Sequence, residues 1–228
     1  MKAAIMGGTS GIGLATAERL MAAGAEVTVT GRDEGRLAKI RDQVTNAVRL
    51  DGTDERQVAA FFERQGEVDH LVLAFSPGAI ALGPLADLST ENIRAAFDGK
   101  LFGYLHAIRH AKVTDSITLI GAASARAALP GTVVLAGANG AIERMVPPLA
   151  VELAPVRVNA VSPGVIDTDW WSELPEDVRR AQFAEFAAAL PVGRIGRPED
   201  VADAIVYLIG ATFVTGQILA VDGGGTVG

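Results

Sequence analysis

Three glycines near the start of the chain have the spacing of a phosphate-binding turn. Gly7, Gly11 and Gly13 follow an apolar run at residues 3–6 and precede residues 14–21, which have helical composition and apolar spacing. Glycine tolerates positive φ and allows close approach to the backbone, and a helix N-terminus attracts phosphate. The pattern favours a dinucleotide site, although G-x-x-x-G-x-G differs from the standard G-x-G-x-x-G and a plain tight turn is the alternative.

The residues after a second predicted strand, at 26–30, bear on the choice of dinucleotide. An acidic residue there would accept a hydrogen bond from the adenosine ribose 2′-OH and select NAD. Gly31 has no carboxylate, and Arg32 can pair with a 2′-phosphate. Asp33 and Glu34 weaken this signal, or are only polar residues at the start of the next helix. We therefore expect NADP(H) as cofactor, with NAD(H) as the less favoured alternative.

Strands and helices alternate along the rest of the chain, which is typical of crossover units in a parallel sheet. Ligands of such sheets bind at the carboxyl ends of the strands, so the candidate residues that follow strands should share one edge. Pro147 and Pro148 lie inside a predicted helix, where they should cause a kink or a break. Further strands are predicted at 47–50, 69–74, 116–120, 157–161 and 217–221, and helices at 34–44, 55–65, 91–111, 134–153 and 198–208.

Composition narrows the class of protein. The 228 residues are 49% apolar and 21% charged, which fits a single domain with a sizeable core. The net charge of −7 argues against nucleic acid and anionic membranes as partners. No apolar run is long enough for a transmembrane helix, and a first strand near residue 2 leaves no room for a signal peptide, so we expect a cytoplasmic protein.

Metal and thiol chemistry find little support in the sequence. There are no cysteines, which excludes disulfides and thiolate ligands. The three histidines, His70, His106 and His110, show no metal-ligand spacing with a third ligand. His106 and His110 are four residues apart on a predicted helix and are interpreted as a surface or interface pair. No metal site is therefore expected.

Several stretches follow one another in a specific order and spacing. They are residues 7–13, Asp51, and residues 69–72, 149–153, 157–164, 191–196 and 221–224. Together they resemble the short-chain dehydrogenase/reductase family over essentially the whole chain. The resemblance implies a Rossmann-like doubly wound α/β sandwich, in which a seven-stranded parallel sheet lies between helices. It also implies NAD(P)(H) binding, a small-molecule substrate, and assembly as a homodimer or homotetramer.

The resemblance also assigns cofactor contacts residue by residue. The three glycines should approach the pyrophosphate, and an aspartate after the third strand should hold the adenine amino group. Residues that follow the sixth strand should meet the nicotinamide carboxamide. The implied cofactor residues, with Arg32 added from the argument above, are Gly7, Thr9, Ser10, Gly11, Ile12, Gly13, Arg32, Asp51, Gly164, Ile166 and Thr168.

The proton relay of that family has no match. Its proton donor is a Tyr four residues before a Lys, but the chain has two tyrosines, and Tyr104 and Tyr207 are followed four residues later by Ile108 and Ala211. Counting back from residues 149–153 identifies the four relay positions. The usual Asn, Ser, Tyr and Lys of the family fall on Lys100, Ala122, Leu135 and Asn139.

Four residues are candidates for a rebuilt relay. Burial can lower the pKa of a lysine ammonium toward neutrality, so Lys100 is the leading proton donor. Ser124 or Asn139 could orient a carbonyl or a water. Arg126 could stabilise a developing oxyanion.

Three functions remain open on the sequence alone. The first is an NADP(H)-dependent oxidoreductase that transfers hydride to or from a small carbonyl or alcohol by a non-standard relay. The second is a catalytically silent NADP(H)-binding sensor or interaction protein, and the third is a non-redox lyase or isomerase. Residues 169–195 carry Trp170, Trp171, Phe183 and Phe186, and either cover a substrate or pack against the core.

Overall fold

The sheet of the computed structural model, which describes residues 1–227, contains seven parallel strands. The strands are β1 (Lys2–Met6), β2 (Glu26–Gly31), β3 (Asn46–Arg49), β4 (Glu67–Leu73), β5 (Lys112–Ile120), β6 (Arg157–Pro163) and β7 (Ile218–Val221). Their spatial order, β3-β2-β1-β4-β5-β6-β7, places the first strand near the middle, where the chain changes direction across the sheet. This arrangement confirms the predicted doubly wound α/β fold.

Helices cover both faces of the sheet, and most of them contribute an apolar stripe to one of two large buried clusters. The helices are α1 (Gly11–Ala22), α2 (Glu34–Ile40), α3 (Glu55–Gln65), α4 (Thr90–Phe97), α5 (Gly103–His110), α6 (Val133–Glu152), α7 (Glu176–Ala189) and α8 (Pro198–Gly210). On one face, α1 and α8 pack side by side through residues such as Leu20 and Ile205. On the other face, α3, α5 and α6 contribute Phe61, Tyr104 and Ile142.

The helix predicted at 91–111 is interrupted in its middle. Ser89 caps α4 as expected, and its Oγ accepts from the N–H of Asn92 at 3.0 Å. Five residues, Asp98–Phe102, then form a π-helical turn before α5 begins. A π turn changes which side chains face inward, and here it buries Gly99 and Lys100. The interruption matters because Lys100 is a candidate catalytic residue.

The break expected at Pro147 and Pro148 is absent. Helix α6 continues from Val133 to Glu152 with both prolines inside it. Two prolines remove two helical donors, at a typical cost of about 3 kcal/mol each. Ile142 and Val146 on the same helix are completely buried against the sheet, so packing of this face holds the helix together.

The helix predicted at 34–44 is also shorter than expected. Helix α2 ends at Ile40, and Arg41–Gln43 form a single 3-10 turn. Asp33 caps the start of α2, because its Oδ1 accepts from the N–H of Arg36 at 2.7 Å. Among residues 1–227, no helix combines the length and the hydropathy needed to cross a bilayer.

Candidate functional site

The glycine turn after β1 is packed too tightly to accept side chains. Gly7 has φ +86°, and a Cβ atom there would lie 2.5 Å from the backbone nitrogen of Phe75. A Cβ on Gly13 would collide with the carbonyl oxygen of Gly7. The amides of Gly7 and Gly8 both donate to the carbonyl of Thr30, at 3.0 and 3.2 Å. The turn is therefore held against β2 and β4, with its backbone at the carboxyl edge of the sheet.

The N-terminus of α1 is free to receive an anion. Ser10 is the N-cap residue, but its side chain makes no capping hydrogen bond, and the first turn contains no acidic residue. The amides of Gly11, Ile12 and Gly13 have no helical acceptor because they belong to the first turn. Their dipoles favour negative charge, so the predicted cofactor residues of this loop fit a pyrophosphate.

The residues after β2 and β3 lie at the same edge. Arg32 is exposed, and its carbonyl oxygen accepts from Nε of Arg49 at 3.3 Å. Asp51 is half-buried, and its Oδ1 accepts from the amide and the hydroxyl of Thr53 at 3.0 and 2.8 Å. These bonds fix the Asp51 side chain through one oxygen, and no hydrogen bond involving Oδ2 occurs within residues 1–227.

A cleft of about 400 Å³ beside the glycine turn contains an arginine that the sequence prediction missed. Arg36 Nη1 donates to Ser10 Oγ at 3.2 Å and lies 3.5 Å from Asp169 Oδ2. Arg36 is four residues beyond Arg32, on the first turn of a predicted helix, and this spacing from the strand end was the available signal. The cleft is lined by Thr9, Ser10, Leu14, Arg36, Lys39, Ile40, Gln43 and Asp169.

The turn after β6 lies at the same carboxyl edge of the sheet, between β7 and the glycine turn. Gly164 donates to the carbonyl of Val221 at 3.1 Å, and a Cβ on Gly164 would lie 2.8 Å from Cα of Asp222. Ile166 is buried, and Thr168 lies beside the glycine turn, 3.1 Å from where a Cβ on Gly11 would be. The predicted cofactor residues of β1 and β6 are therefore close in space.

Lys100 is a buried cation without an ionic partner. The residue is 8% exposed. Burial is the single cause of its pKa shift, so no carboxylate of residues 1–227 interacts with its ammonium. The ammonium lies 5.1 Å from the centroid of the Tyr104 ring, a cation–π geometry. Burial lowers the pKa of Lys100 to about 7. The side chain can therefore exchange a proton near neutral pH.

Tyr104 is a structural residue rather than a second acid. It is fully buried, and its hydroxyl lies 3.3 Å from the carbonyl of Phe75 and 3.2 Å from that of Ile120. The single hydroxyl proton is therefore shared by two backbone carbonyls, one in the turn after β4 and one at the end of β5. Burial raises the pKa of Tyr104 above its usual value, so the phenol remains protonated.

The structure brings together two of the predicted site residues, Asn139 and Ser124. Asn139 Nδ2 donates to Ser124 Oγ at 3.2 Å and to the carbonyl of Leu135 at 3.0 Å. Asn139 Oδ1 is buried and has no hydrogen-bond partner in the part of the chain that the structure describes. Buried polar atoms are nearly always bonded, so Oδ1 calls for a donor from a water or a bound ligand.

Arg126, the fourth catalytic candidate, is paired with a carboxylate that the sequence prediction missed. Its Nε lies 3.3 Å from Glu143 Oε2, and its Nη2 donates to Glu143 Oε1 at 3.3 Å. Glu143 Oε1 also accepts from Ser162 Oγ at 2.7 Å. Glu143 is one helical turn after Asn139 on α6, which was the available signal. The guanidinium charge is thus compensated, so it is a weaker oxyanion partner than expected.

The aromatic residues after β6 pack on one another. Ring centroids of Trp170, Phe183 and Phe186 lie 4.6, 5.8 and 6.2 Å from that of Trp171. Trp171 Nε1 donates to the carbonyl of Ile166 at 3.0 Å. The cluster borders a cavity of about 100 Å³ whose lining residues are Ala79, Leu82, Trp170, Trp171, Glu173, Leu174 and Gln182.

The three histidines contact residues outside the predicted cofactor and catalytic sets. His70 is buried in β4 with Nδ1 2.8 Å from Ser116 Oγ, and burial lowers the pKa of its ring. His106 and His110 lie 3.7 and 3.1 Å from the carboxylate of Glu55. Among residues 1–227, no group of three or more ligating side chains could hold a metal ion.

Comparisons with known proteins agree with this architecture. A family model described as enoyl-(acyl carrier protein) reductase matches residues 7–226. The chain is 37% identical to cis-4-hydroxycyclohexanecarboxylate dehydrogenase of Sinomonas cyclohexanicum, over 98% of this chain and 96% of that protein. It is 33% identical to 2,3-dihydroxy-2,3-dihydro-p-cumate dehydrogenase of Pseudomonas putida, over 99% and 94%. A crystal structure of a small-chain dehydrogenase in complex with NADPH has a TM-score of 0.86 and 33% identity, covering 100% of this chain and 99% of that chain.

Proposed function

Because the chain belongs to the short-chain dehydrogenase/reductase family, we propose that it is an NADP(H)-dependent oxidoreductase in which Lys100 takes the place of the usual proton donor. The proposed substrate is a small carbonyl compound or the corresponding alcohol. The observation that carries the proposal is the burial of an unpaired lysine at a relay position of the family. A solvated or interface lysine would not be buried within a single chain.

The cofactor part of the proposal rests on the fit of the sheet edge. The uncapped α1 N-terminus would hold the pyrophosphate, and Arg32 would pair with a 2′-phosphate. Asp51 would accept from the adenine amino group, and Ile166 and Thr168 would meet the carboxamide. The bound nicotinamide would supply or accept the hydride, so this chain must supply the proton and exclude water.

Lys100 can perform the proton half of this chemistry in both directions. Reduction of a carbonyl leaves an alkoxide oxygen, and the Lys100 ammonium gives it one proton and becomes a neutral amine. In the oxidation direction the neutral amine accepts the proton of the alcohol hydroxyl. A donor whose pKa is about 7 suits both directions near neutral pH, and such a step typically contributes about 10²- to 10⁴-fold.

Neighbouring polar groups would position the substrate rather than give it a proton. Leu135, at the position of the usual tyrosine, has no titratable atom. Asn139, at the position of the usual lysine, offers a buried unpartnered Oδ1 that can accept from a ribose or substrate hydroxyl. Ser124 is held by Asn139 and can orient a carbonyl or a water.

We also propose that the chain assembles with copies of itself, as a homodimer or homotetramer. Apolar side chains on the π turn and on α5 and α6 remain exposed, including Phe102 at 47%, Leu105 at 37% and Val151 at 80%. Exposed apolar residues on neighbouring helices are a common basis of association. Light scattering during size exclusion should give an even multiple of the 23.6 kDa chain mass, and a monomer would contradict the proposal.

The test of the proposed activity starts from binding. NADPH and NADH titrations by fluorescence should show preference for NADPH. NADPH oxidation is then followed with a panel of substituted cyclohexanones, aldehydes, quinones and enones, and NADP⁺ reduction with cyclohexanols and cis-dihydrodiols. The two relatives named above motivate the choice of hydroxylated rings.

Lys100→Met should lower turnover of any accepted substrate by about 10²- to 10⁴-fold. Lys112→Met, which removes an exposed lysine at the start of β5, is the matched control and should retain activity. NADPH binding without turnover of any compound would favour the silent sensor. Turnover that does not respond to Lys100→Met would show that another group supplies the proton.

A further inference from the structure

We propose that Arg36 is a latch that exchanges Asp169 for the 2′-phosphate of NADP(H), and so couples recognition of the phosphorylated cofactor to the segment that carries both tryptophans. The inference rests on the proposed cofactor. It adds a specificity-determining residue and a conformational consequence that the family assignment does not contain.

Arg36 contacts two other segments that line the cleft, the glycine turn and the turn after β6. It lies on the first turn of α2, and its guanidinium reaches Ser10 Oγ at 3.2 Å on the glycine turn. The same Nη1 lies 3.5 Å from Oδ2 of Asp169, which also lines the 400 Å³ cleft. The amide of Arg36 is anchored separately, by Asp33 Oδ1 at 2.7 Å. The side chain can therefore change partner while the backbone stays in place.

The charges of the cleft suit a phosphate better than they suit the resident carboxylate. Its lining contains two cations, Arg36 and Lys39, and one anion, Asp169. A phosphomonoester carries about −1.5 to −2 charges at pH 7 and offers three acceptor oxygens, so it forms stronger bonds to a guanidinium than one carboxylate does. It would also repel Asp169.

The existing ion pair is weak enough to be exchanged. The side chains of Arg36 and Asp169 are 45% and 58% exposed, so water and salt screen their attraction. Ser10 Oγ, which makes no helix cap, remains next to the arginine and can donate to the same phosphate. Arg32 is in the loop that precedes α2, so the two arginines can bind one group together.

Release of Asp169 would change the surroundings of Trp170 and Trp171, which follow it in the same short turn. Asp169 opens the short turn Asp169–Trp171, in which the amide of Trp170 donates to Thr168 Oγ1 at 3.3 Å. Trp171 joins this turn to α7 through Phe183. Phosphate binding at Arg36 would therefore change the environment of both tryptophans, because it releases the side chain of Asp169.

The test uses adenosine 2′,5′-bisphosphate and 5′-AMP as probes, because they differ only in the 2′-phosphate. Titration calorimetry on the full chain should give tighter binding of the bisphosphate. Arg36→Gln should weaken the bisphosphate about 10-fold or more and change 5′-AMP by less than about 2-fold. Asp169→Asn should tighten the bisphosphate by about 2- to 5-fold, because it removes the competing carboxylate.

Arg41→Gln is the matched control. Arg41 pairs with Glu34 at 3.1 Å on the same stretch but does not line the cleft. It should leave both ligands within about 2-fold of the wild type. A loss of both ligands in Arg36→Gln would make Arg36 a structural residue, and unchanged bisphosphate binding would also overturn the latch.

Tryptophan emission supplies the conformational readout, because the chain has only two tryptophans and both follow Asp169. The bisphosphate should shift the emission of the wild type, whereas 5′-AMP should not. Asp169→Asn without ligand should already resemble the liganded wild type. Bound bisphosphate with unchanged emission would overturn the coupling.

Failure of the latch and failure of the proposed cofactor are distinguished by NADPH itself. If the wild type binds NADPH and Arg36→Gln binds it with the same affinity, the latch is overturned and the proposed cofactor is retained. Wild type that binds neither NADPH nor the bisphosphate overturns both.

Discussion

Two buried cations of this protein have opposite surroundings. Arg157, in β6, is 7% exposed and donates to the carbonyls of Leu208, Ala211 and Ile209 at 2.8, 3.1 and 2.8 Å. Its Nη2 also donates to the carboxylate of Asp115 at 2.9 Å. Lys100 is buried to a similar extent, but within residues 1–227 its ammonium has no carboxylate partner and lies near the face of the Tyr104 ring.

The difference separates structure from chemistry. Arg157 satisfies the last carbonyls of α8, which a helix end otherwise leaves unpaired, and compensates its own charge with a carboxylate. A buried charge that is fully bonded stabilises its surroundings, whereas an unpaired one is costly and loses its proton easily. The cost of burying Lys100 without a counter-ion supports its proposed role in proton transfer.

The largest predicted effect on stability comes from Arg157→Met. The change leaves three helix-end carbonyls without their donor, and each unpaired buried group costs about 1–3 kcal/mol. Asp115 is 48% exposed, so loss of its ion pair adds little. The free energy of unfolding from urea titration measures it. Arg180→Met, which removes an exposed arginine paired with Glu176, is the control and should change little. An equal loss in both variants would contradict the distinction.

Lys100→Met should stabilise the fold by about 2–4 kcal/mol at pH 6. Below pH 7 both folded and unfolded chains carry the proton, so the cost of burying the charge is present in full. Between the folded pKa of about 7 and the ordinary value of 10.5, the unfolded chain binds more protons and stability rises with pH. The advantage of methionine should therefore shrink as pH rises and vanish above about 10.5.

Urea titrations of wild type and Lys100→Met at several pH values measure this advantage. Lys112→Met, at an exposed site, should show no such pH dependence. Stabilisation that is the same at every pH would mean that Lys100 acts through packing and not through its charge.

Tyr104→Phe should have the smallest effect of the three. It keeps the ring under the Lys100 ammonium and removes only the hydroxyl shared by two carbonyls, for a loss of about 1 kcal/mol. Tyr104→Leu removes the ring as well and should lower the pKa of Lys100 further. NMR titration of the ε-methylene carbon of Lys100 measures its pKa in the wild type, Tyr104→Phe and Tyr104→Leu. The same pKa in all three proteins would exclude a role for the ring.

Much of this site was readable from local signals. The glycine turn, the cap at Ser89 and the missing acidic residue at Gly31 each act within a few residues of the chain, so sequence patterns report them directly. The parallel order of strands followed from their alternation with helices. The resemblance to the family, and not a local pattern, assigned Lys100 to a relay position by counting along the chain. The structure shows that this residue is buried.

Contacts between distant segments were not readable. Arg36 of α2 contacts Asp169 of the turn after β6, and Arg126 contacts Glu143 of α6, because folding brings these segments together. The π turn at Lys100 has no sequence pattern of its own, because tertiary packing selects it. The expected break at Pro147 failed for the same reason, since burial of the α6 face outweighs the lost donors.

The pH dependence of carbonyl reduction tests the role of Lys100 most directly. With any accepted substrate and saturating NADPH, kcat should be high below pH 7 and fall as pH rises through about 7, because Lys100 loses the proton that it must give. Lys100→Arg, whose guanidinium cannot release a proton in this range, should be slow and should lose that limb. A wild-type profile that is flat from pH 6 to 9, or a limb near 7 that persists in Lys100→Arg, would contradict the account.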